Sequence, residues 1–236
     1  MWYYLFMANR TESFAVGEYY HIYNRGNTKQ NIFTDNKDRD RFVKLLYLCN
    51  SLENIKFKEY IVDRKIDAWD FDKGEPIVSI GAWVLMPNHF HIYITPNKES
   101  AIENPISFFI KKLCTAYSMY FNKKHKRTGK LFEGAFKSLH IDSDRYSKYI
   151  FSYIHLNPIK LIDPVWKDRG LQNIENTKEF LDKYKWSSYQ DYRDKERSEI
   201  KIISPENFPD YFSNKKVFDK EIFEWLSYRN ASLNKS

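Results

Sequence analysis

The order of elements in this 236-residue chain predicts an α+β layer sandwich with a mostly antiparallel sheet. Short β-branched and aromatic runs alternate with longer runs of helical period. The links between them are short and hairpin-like. No Pro/Gly/Ser-rich linker divides the chain, and its length suits one large domain or two small ones. Residues 19–195 are taken as the domain, 1–18 as an N-terminal extension, and 196–236 as a C-terminal extension with no role assigned.

The elements follow in order. Tyr19–Asn24 reads as a first strand, ended by Arg25-Gly26-Asn27. A helix is predicted from Asp38 to Leu52, with Phe42, Leu45, Leu46 and Cys49 at helical spacing. Strands follow over Ile55–Val62, Ile77–Leu85 and His89–Thr95, with Met86-Pro87-Asn88 as a local break. A long helix over Ile106–Asn122 carries Phe109, Ile110, Leu113, Ala116, Tyr117 and Tyr120 on one stripe. A short strand over Ala135–Ile141 leads to a helix with Asp142 or Ser143 as N-cap and Pro158 marking its end. Asp63–Pro76 reads as an insertion.

Composition narrows the partners. Net charge +7 and a pI near 9.1 favour a polyanion. Aromatic content of 18% is high enough to supply both a core and rings for stacking on unpaired bases. The two cysteines, Cys49 and Cys114, fall on apolar helix faces and suggest neither a disulfide nor a close-spaced metal pair, so a reducing cytoplasm is expected. The apolar start, Met1–Met7, is too short to span a bilayer and lacks a signal peptide's basic opening; a true start at Met7 explains it equally well. No membrane partner is expected.

The segment Met86-Pro87-Asn88-His89-Phe90-His91-Ile92-Tyr93-Ile94 carries the most chemistry. Strand side chains alternate, so His89 and His91 share a face while Phe90 and Ile92 enter the opposite layer. Two imidazoles side by side on a strand are half of a metal site. An isolated His-x-His is more often one core histidine and one surface histidine. A second motif shifts that balance: Tyr149-Ile150-Phe151-Ser152-Tyr153-Ile154-His155-Leu156-Asn157-Pro158. On a helix Tyr153 and Asn157 lie one turn apart on one face, with His155 roughly opposite. A tyrosine hydroxyl and an amide oxygen there complement the two imidazoles. Neither histidine of the pair is expected to be needed to fill the core.

These residues resemble the HUH-class single-tyrosine transposases, and within them the REP-associated tyrosine transposase group. The resemblance runs through Tyr20–Asn27, Asn31-Ile32-Phe33, Trp83–His91, Arg127–Gly134, Tyr153–Pro158 and Trp186-Ser187-Ser188-Tyr189, covering most of residues 19–192. It implies a ferredoxin-like core and a DNA transposase or single-strand endonuclease acting on hairpin-bearing single-stranded DNA. It makes His89, His91 and Asn157 ligands of a divalent cation and Tyr153 the nucleophile, with no departure at those four positions. Mg²⁺ is the implied ion, Mn²⁺ suits imidazole with an amide oxygen, and ligand type alone also admits Zn²⁺. The implied reaction forms a 5′-phosphotyrosine link and a free 3′-hydroxyl, and its reversal on another strand gives strand transfer. Relatives act as monomers or homodimers.

The basic run Lys123-Lys124-His125-Lys126-Arg127-Thr128-Gly129-Lys130 precedes the strand that feeds the tyrosine helix, which favours phosphate contacts by Lys123, Lys124, Lys126, Arg127 and Lys130 over a merely solvated loop. Lys111, Lys112 and Lys137 extend that surface, and Arg25 with Asn27 forms a further candidate patch or a plain turn. Two rival readings are a water-using metal phosphodiesterase, with Tyr153 structural, and a catalytically idle hairpin-binding protein.

Overall fold

Side-chain alternation on the strands decides which layer each residue enters, and the sheet is built accordingly. The computed structural model describes residues 14–98, 100, 102–171, 173–210, 214–222 and 224. The chain runs β1 (Tyr19–Arg25), α1 (Asn36–Leu48), β2 (Val78–Met86), β3 (His89–Pro96), α2 (Pro105–Lys124), β4 (Lys137–Ile141), α3 (Asp144–Leu156), α4 (Trp166–Arg169) and α5 (Ile174–Lys183), with short 3₁₀ turns between. The four strands form one sheet in the order β2-β3-β1-β4, every neighbouring pair antiparallel. This is the expected α+β architecture. The opening Met1–Met7 lies outside the described residues.

Both faces of the sheet are covered. Ile22, Trp83, Leu85, Phe90 and Ile92 share a cluster with Phe42 and Leu46 of α1 and Phe109, Leu113 and Tyr117 of α2. Ala82, Val84, Met86 and Tyr93 share the other with Ile150, Phe151 and Ile154 of α3. Burial of Phe90 and Ile92 toward α1 and α2 turns His91 toward α3, as alternation requires. The register sets Arg25 opposite His89 and Tyr23 opposite His91.

A side-chain cap explains the start of α1, while α3 begins without one. Asp35 accepts from the Asp38 backbone N–H and starts α1 two residues before the predicted point. Ser143 precedes α3 in extended geometry, and α3 ends at Leu156. The chain then tightens into a 3₁₀ turn, Asn157–Leu161, whose first turn accommodates Pro158 because the proline's missing N–H falls where no helical partner is needed.

One predicted strand is absent. Ile55–Val62 instead forms a π-helical turn over Lys58–Val62. The apolar spacing of Phe57, Tyr60 and Ile61 suits a helical turn, which buries Ile61 against Leu48 and Ala68. The predicted insertion is ordered by burial: Trp69 packs on the Tyr47 ring at 5.4 Å, and Lys73 Nζ donates to the Asn50 carbonyl.

The outer edge of β2 is closed by Trp186-Ser187-Ser188-Tyr189. Leu85 N–H donates to the Trp186 carbonyl at 2.9 Å, and Trp83 N–H donates to Ser188 Oγ at 3.0 Å. His155 Nε2 stands 2.8 Å from the same Ser188 hydroxyl, tying α3 to that edge. Arg197 holds the segment from outside through paired bonds to Asp191 and one to the Ser187 carbonyl. Ile202 and Ile203, beyond residue 195, also enter the main core. Among the described residues no helix is long and apolar enough to cross a membrane, and Cys49 and Cys114 are free thiols.

Candidate active site

The site lies at the end of the sheet where β1 and β3 meet their loops. His89 and His91 project from β3 on one face, with ring centroids 5.0 Å apart and planes near perpendicular. His89 Nδ1 sits 2.6 Å from Asn88 Oδ1, so that ring nitrogen is occupied and Nε2 is the one left for other chemistry. His91 Nδ1 lies 2.9 Å from Nε2 of His21, the residue that β1 places on the same face. The remaining His91 nitrogen, Nε2, is buried without a partner.

α3 lowers Tyr153 onto this pair. Its ring meets His91 edge-on at 5.4 Å and His21 at 6.0 Å. Tyr149 stacks on Tyr153 at 6.0 Å, and Tyr146 stacks on Tyr149 at 6.2 Å, extending a ladder of rings up the helix. Tyr23 of β1 lies 5.7 Å from His91 on its other side. Two cations flank the tyrosine: Lys167 Nζ is 4.2 Å and Lys160 Nζ 5.6 Å from the Tyr153 ring centroid.

Asn157 falls at the C-terminal end of α3, one turn beyond Tyr153. It is fully buried, and neither its amide oxygen nor its amide nitrogen has a hydrogen-bond partner. A buried amide left wholly unpaired costs about 1–3 kcal/mol per group, so its retention needs a reason.

Electrostatics keep the imidazoles neutral. Burial lowers His21 to about 3. Burial, then Lys160 and Arg25, lowers His89 to about 4. Burial, then its histidine neighbours, Lys160 and Lys167, holds His91 well below the usual range. Neutral imidazole is the form that ligates a cation. Two neutral imidazoles and an amide, with free His91 Nε2 and Asn157 Oδ1, fit a divalent ion by donor chemistry. Among the described residues no three His, Cys, Asp or Glu side chains form a metal cluster.

Burial also separates the two histidines. His89 is half-buried, whereas His91 is only 6% exposed. The expectation that neither is needed to fill the core therefore fails for His91, which packs between Tyr23, His21 and Tyr153.

The basic loop reaches the same end of the sheet. Asn27 N–H donates to the Leu131 carbonyl, Gly26 bridges Phe132, and Glu133 N–H donates to the Arg25 carbonyl. The expected phosphate contacts divide by their present partners. Lys123, Lys126 and Lys130 are exposed. Lys124 is bound to Asp35 at 2.7 Å and to the buried Asp38 at 2.6 Å. Arg127 lies over the Phe121 ring at 5.6 Å and donates to the Lys130 carbonyl. Arg25 is paired with Glu133, and Asn27 is half-buried.

Four residues at the site are given no site role by the sequence: His21, Tyr23, Lys160 and Lys167. His21 and Tyr23 carry a signal, since they repeat at period 2 on β1 as His89 and His91 do on β3. Which neighbour they meet depends on strand order. Lys160 sits in the 3₁₀ turn after α3 and Lys167 in α4, and no local pattern marks their approach.

No family model matches the chain. No curated protein matches it either. One solved structure similar to it is described as a REP-associated tyrosine transposase bound to a REP hairpin; the two share 13% identity, with a TM-score of 0.46, over 79% of this chain and 86% of that one.

Proposed function

We propose that this protein is a single-strand DNA endonuclease and strand transferase, a transposase that cleaves hairpin-bearing DNA through a covalent bond to Tyr153. The observation that carries this reading is the placement of the Tyr153 ring 5.4 Å from His91, whose Nε2 is buried and unpaired. The resemblance of the motifs to the REP-associated group supports the same assignment.

The chain's own groups do most of the work. His89, His91 and Asn157 would hold a divalent cation, Mg²⁺ or Mn²⁺, which supplies Lewis-acid charge neutralisation at the scissile phosphate. Tyr153 Oη attacks phosphorus and gives up its proton, the P–O3′ bond breaks and the released 3′-oxygen takes up a proton, so one fragment leaves with a 3′-hydroxyl while the other stays joined to Tyr153 through its 5′-phosphate. Lys160 and Lys167 flank the tyrosine ring and add positive charge where the phosphate must sit. Contacts of His91 and Lys167 with the ring restrict its orientation. Lys123, Lys126 and Lys130 give backbone phosphates a sequence-independent hold.

Incubation of the protein with hairpin-bearing single-stranded DNA and Mg²⁺ or Mn²⁺, followed by denaturing electrophoresis, should give a covalent complex with a shortened strand. Cleavage without any adduct would instead indicate hydrolysis by water. Hairpin binding without cleavage would indicate an idle binder.

A further inference from the structure

His21 is a buried polar residue with one partner, and that partner is His91. Nε2 of His21 and Nδ1 of His91 are 2.9 Å apart, the rings are nearly parallel, and both are buried. Two neutral imidazoles at that distance share one proton across the contact. Either His91 donates from Nδ1 and presents a bare lone pair at Nε2, or His21 donates and His91 presents an N–H at Nε2. The outer nitrogens of the pair, His21 Nδ1 and His91 Nε2, are both buried and unpaired, so hydrogen bonding alone does not choose between the arrangements.

The reading of His91 as a cation ligand does choose, because a ligating nitrogen must be bare. Lys167 and Lys160 lie 4.2 and 5.6 Å from the ring of Tyr153, which itself abuts His91. Tyr153 abuts both rings, at 5.4 Å from His91 and 6.0 Å from His21, so these cations lie beside the pair as a whole. A lone-pair nitrogen is the negative end of a neutral imidazole and an N–H the positive end. That positive charge suits a lone pair at His91 Nε2, with the shared proton carried on His91 Nδ1 rather than on His21 Nε2.

We infer that His21 is a positioning residue that accepts a hydrogen bond from His91 Nδ1–H and thereby leaves the Nε2 lone pair of His91 bare for a cation. The inference rests on the reading of His91 as a cation ligand. Metal-bound histidines characteristically donate their second ring N–H to a carboxylate, carbonyl or water; here a second imidazole takes that place. The arrangement also holds the His91 ring in one plane against Tyr153, so ligand and nucleophile are oriented by one contact chain from β1 to β3 to α3.

The test uses the full chain with ¹⁵N-labelled histidine. Long-range ¹H–¹⁵N spectra of the metal-free protein at neutral pH should show His91 protonated on Nδ1 in the wild type. They should show the same in His21→Gln, whose amide oxygen can still accept. In His21→Phe, which keeps a ring and removes the acceptor, that tautomer should be lost and Mn²⁺ affinity should fall about 10- to 100-fold, with His21→Gln closer to wild type. A wild-type His91 protonated on Nε2 would overturn the inference, as would a folded His21→Phe protein with unchanged tautomer and unchanged Mn²⁺ affinity. Wild-type protein that binds no Mn²⁺ would count against the cation reading; the tautomer, read without metal, still decides the role of His21. Should His21→Phe fail to fold, the wild-type and His21→Gln spectra decide it.

Discussion

Replacing Asp38 by asparagine tests the anchor that joins α1 to the end of α2. The Asp38 side chain has no solvent exposure. Its carboxylate accepts from Thr34 N–H at 3.0 Å, Thr34 Oγ1 at 2.7 Å and Lys124 Nζ at 2.6 Å. Burial alone would raise its pKa, but hydrogen bonds from Lys124 and Thr34 outweigh it and hold the group at about 2, against an ordinary 3.8. A folded-state pKa below the unfolded value means that the unfolded chain takes up protons first as pH falls. The stabilisation is complete at neutral pH and is lost as pH drops through about 2. The shift corresponds to about 2 kcal/mol at pH 7, falling to roughly half of that by pH 3. In the Asp38→Asn chain this pH-dependent part should vanish. Urea denaturation of both proteins at pH 7 and pH 3 reads the difference directly. A stability gap of the same size at both values would refute the argument, because the gap would then owe nothing to the carboxylate's charge.

Other expectations follow from the site and its supports. His89→Ala should abolish Mn²⁺-dependent cleavage and change stability by less than about 1 kcal/mol, whereas His91→Ala should also cost about 1–3 kcal/mol by leaving His21 Nε2 unpaired, as denaturation curves will show. Charge-removing substitutions of Lys123, Lys126 and Lys130 should weaken DNA binding alike for all sequences and flatten its salt dependence, measured by titration at several salt concentrations; an unchanged slope would return the loop to a solvated role. Lys124→Gln should instead lower stability, because Lys124 is engaged with Asp35 and Asp38. Gly26→Ala should destabilise by about 1–3 kcal/mol, since its Cβ would strike the Gln30 carbonyl and crowd Ile32; a melting temperature equal to wild type would contradict this turn geometry.

Much of the fold is legible in the sequence because strand and helix periods are strong where burial is complete. β2 is buried at every position and β3 at all but its first, so their apolar runs are unmistakable. Ile55–Val62 misleads because Phe57, Tyr60 and Ile61 fit a turn as well as a strand, and only packing against Leu48 and Ala68 decides the matter. At the site, the shared face of His89 and His91 and the one-turn spacing of Tyr153 and Asn157 are local facts, readable from period alone. The contacts of His21, Tyr23, Lys160 and Lys167 are not local. His21 meets His91 across 70 residues because β1 pairs with β3, and that pairing belongs to topology. The same holds for Lys124, whose charge suggests phosphate while the fold sets Asp35 and Asp38 beside it.

Identification of the residue that carries DNA after cleavage tests the central claim most directly. Three stacked tyrosines, Tyr146, Tyr149 and Tyr153, lie along α3, and Tyr153 is the one whose ring meets His91. Protein incubated with hairpin-bearing single-stranded DNA and Mn²⁺ would be digested and its peptides examined by mass spectrometry. The account predicts a nucleotide-bearing peptide modified at Tyr153, and loss of both adduct and cleavage in Tyr153→Phe with hairpin binding retained. Nucleotide on Tyr149 instead, or continued cleavage by Tyr153→Phe, would contradict it.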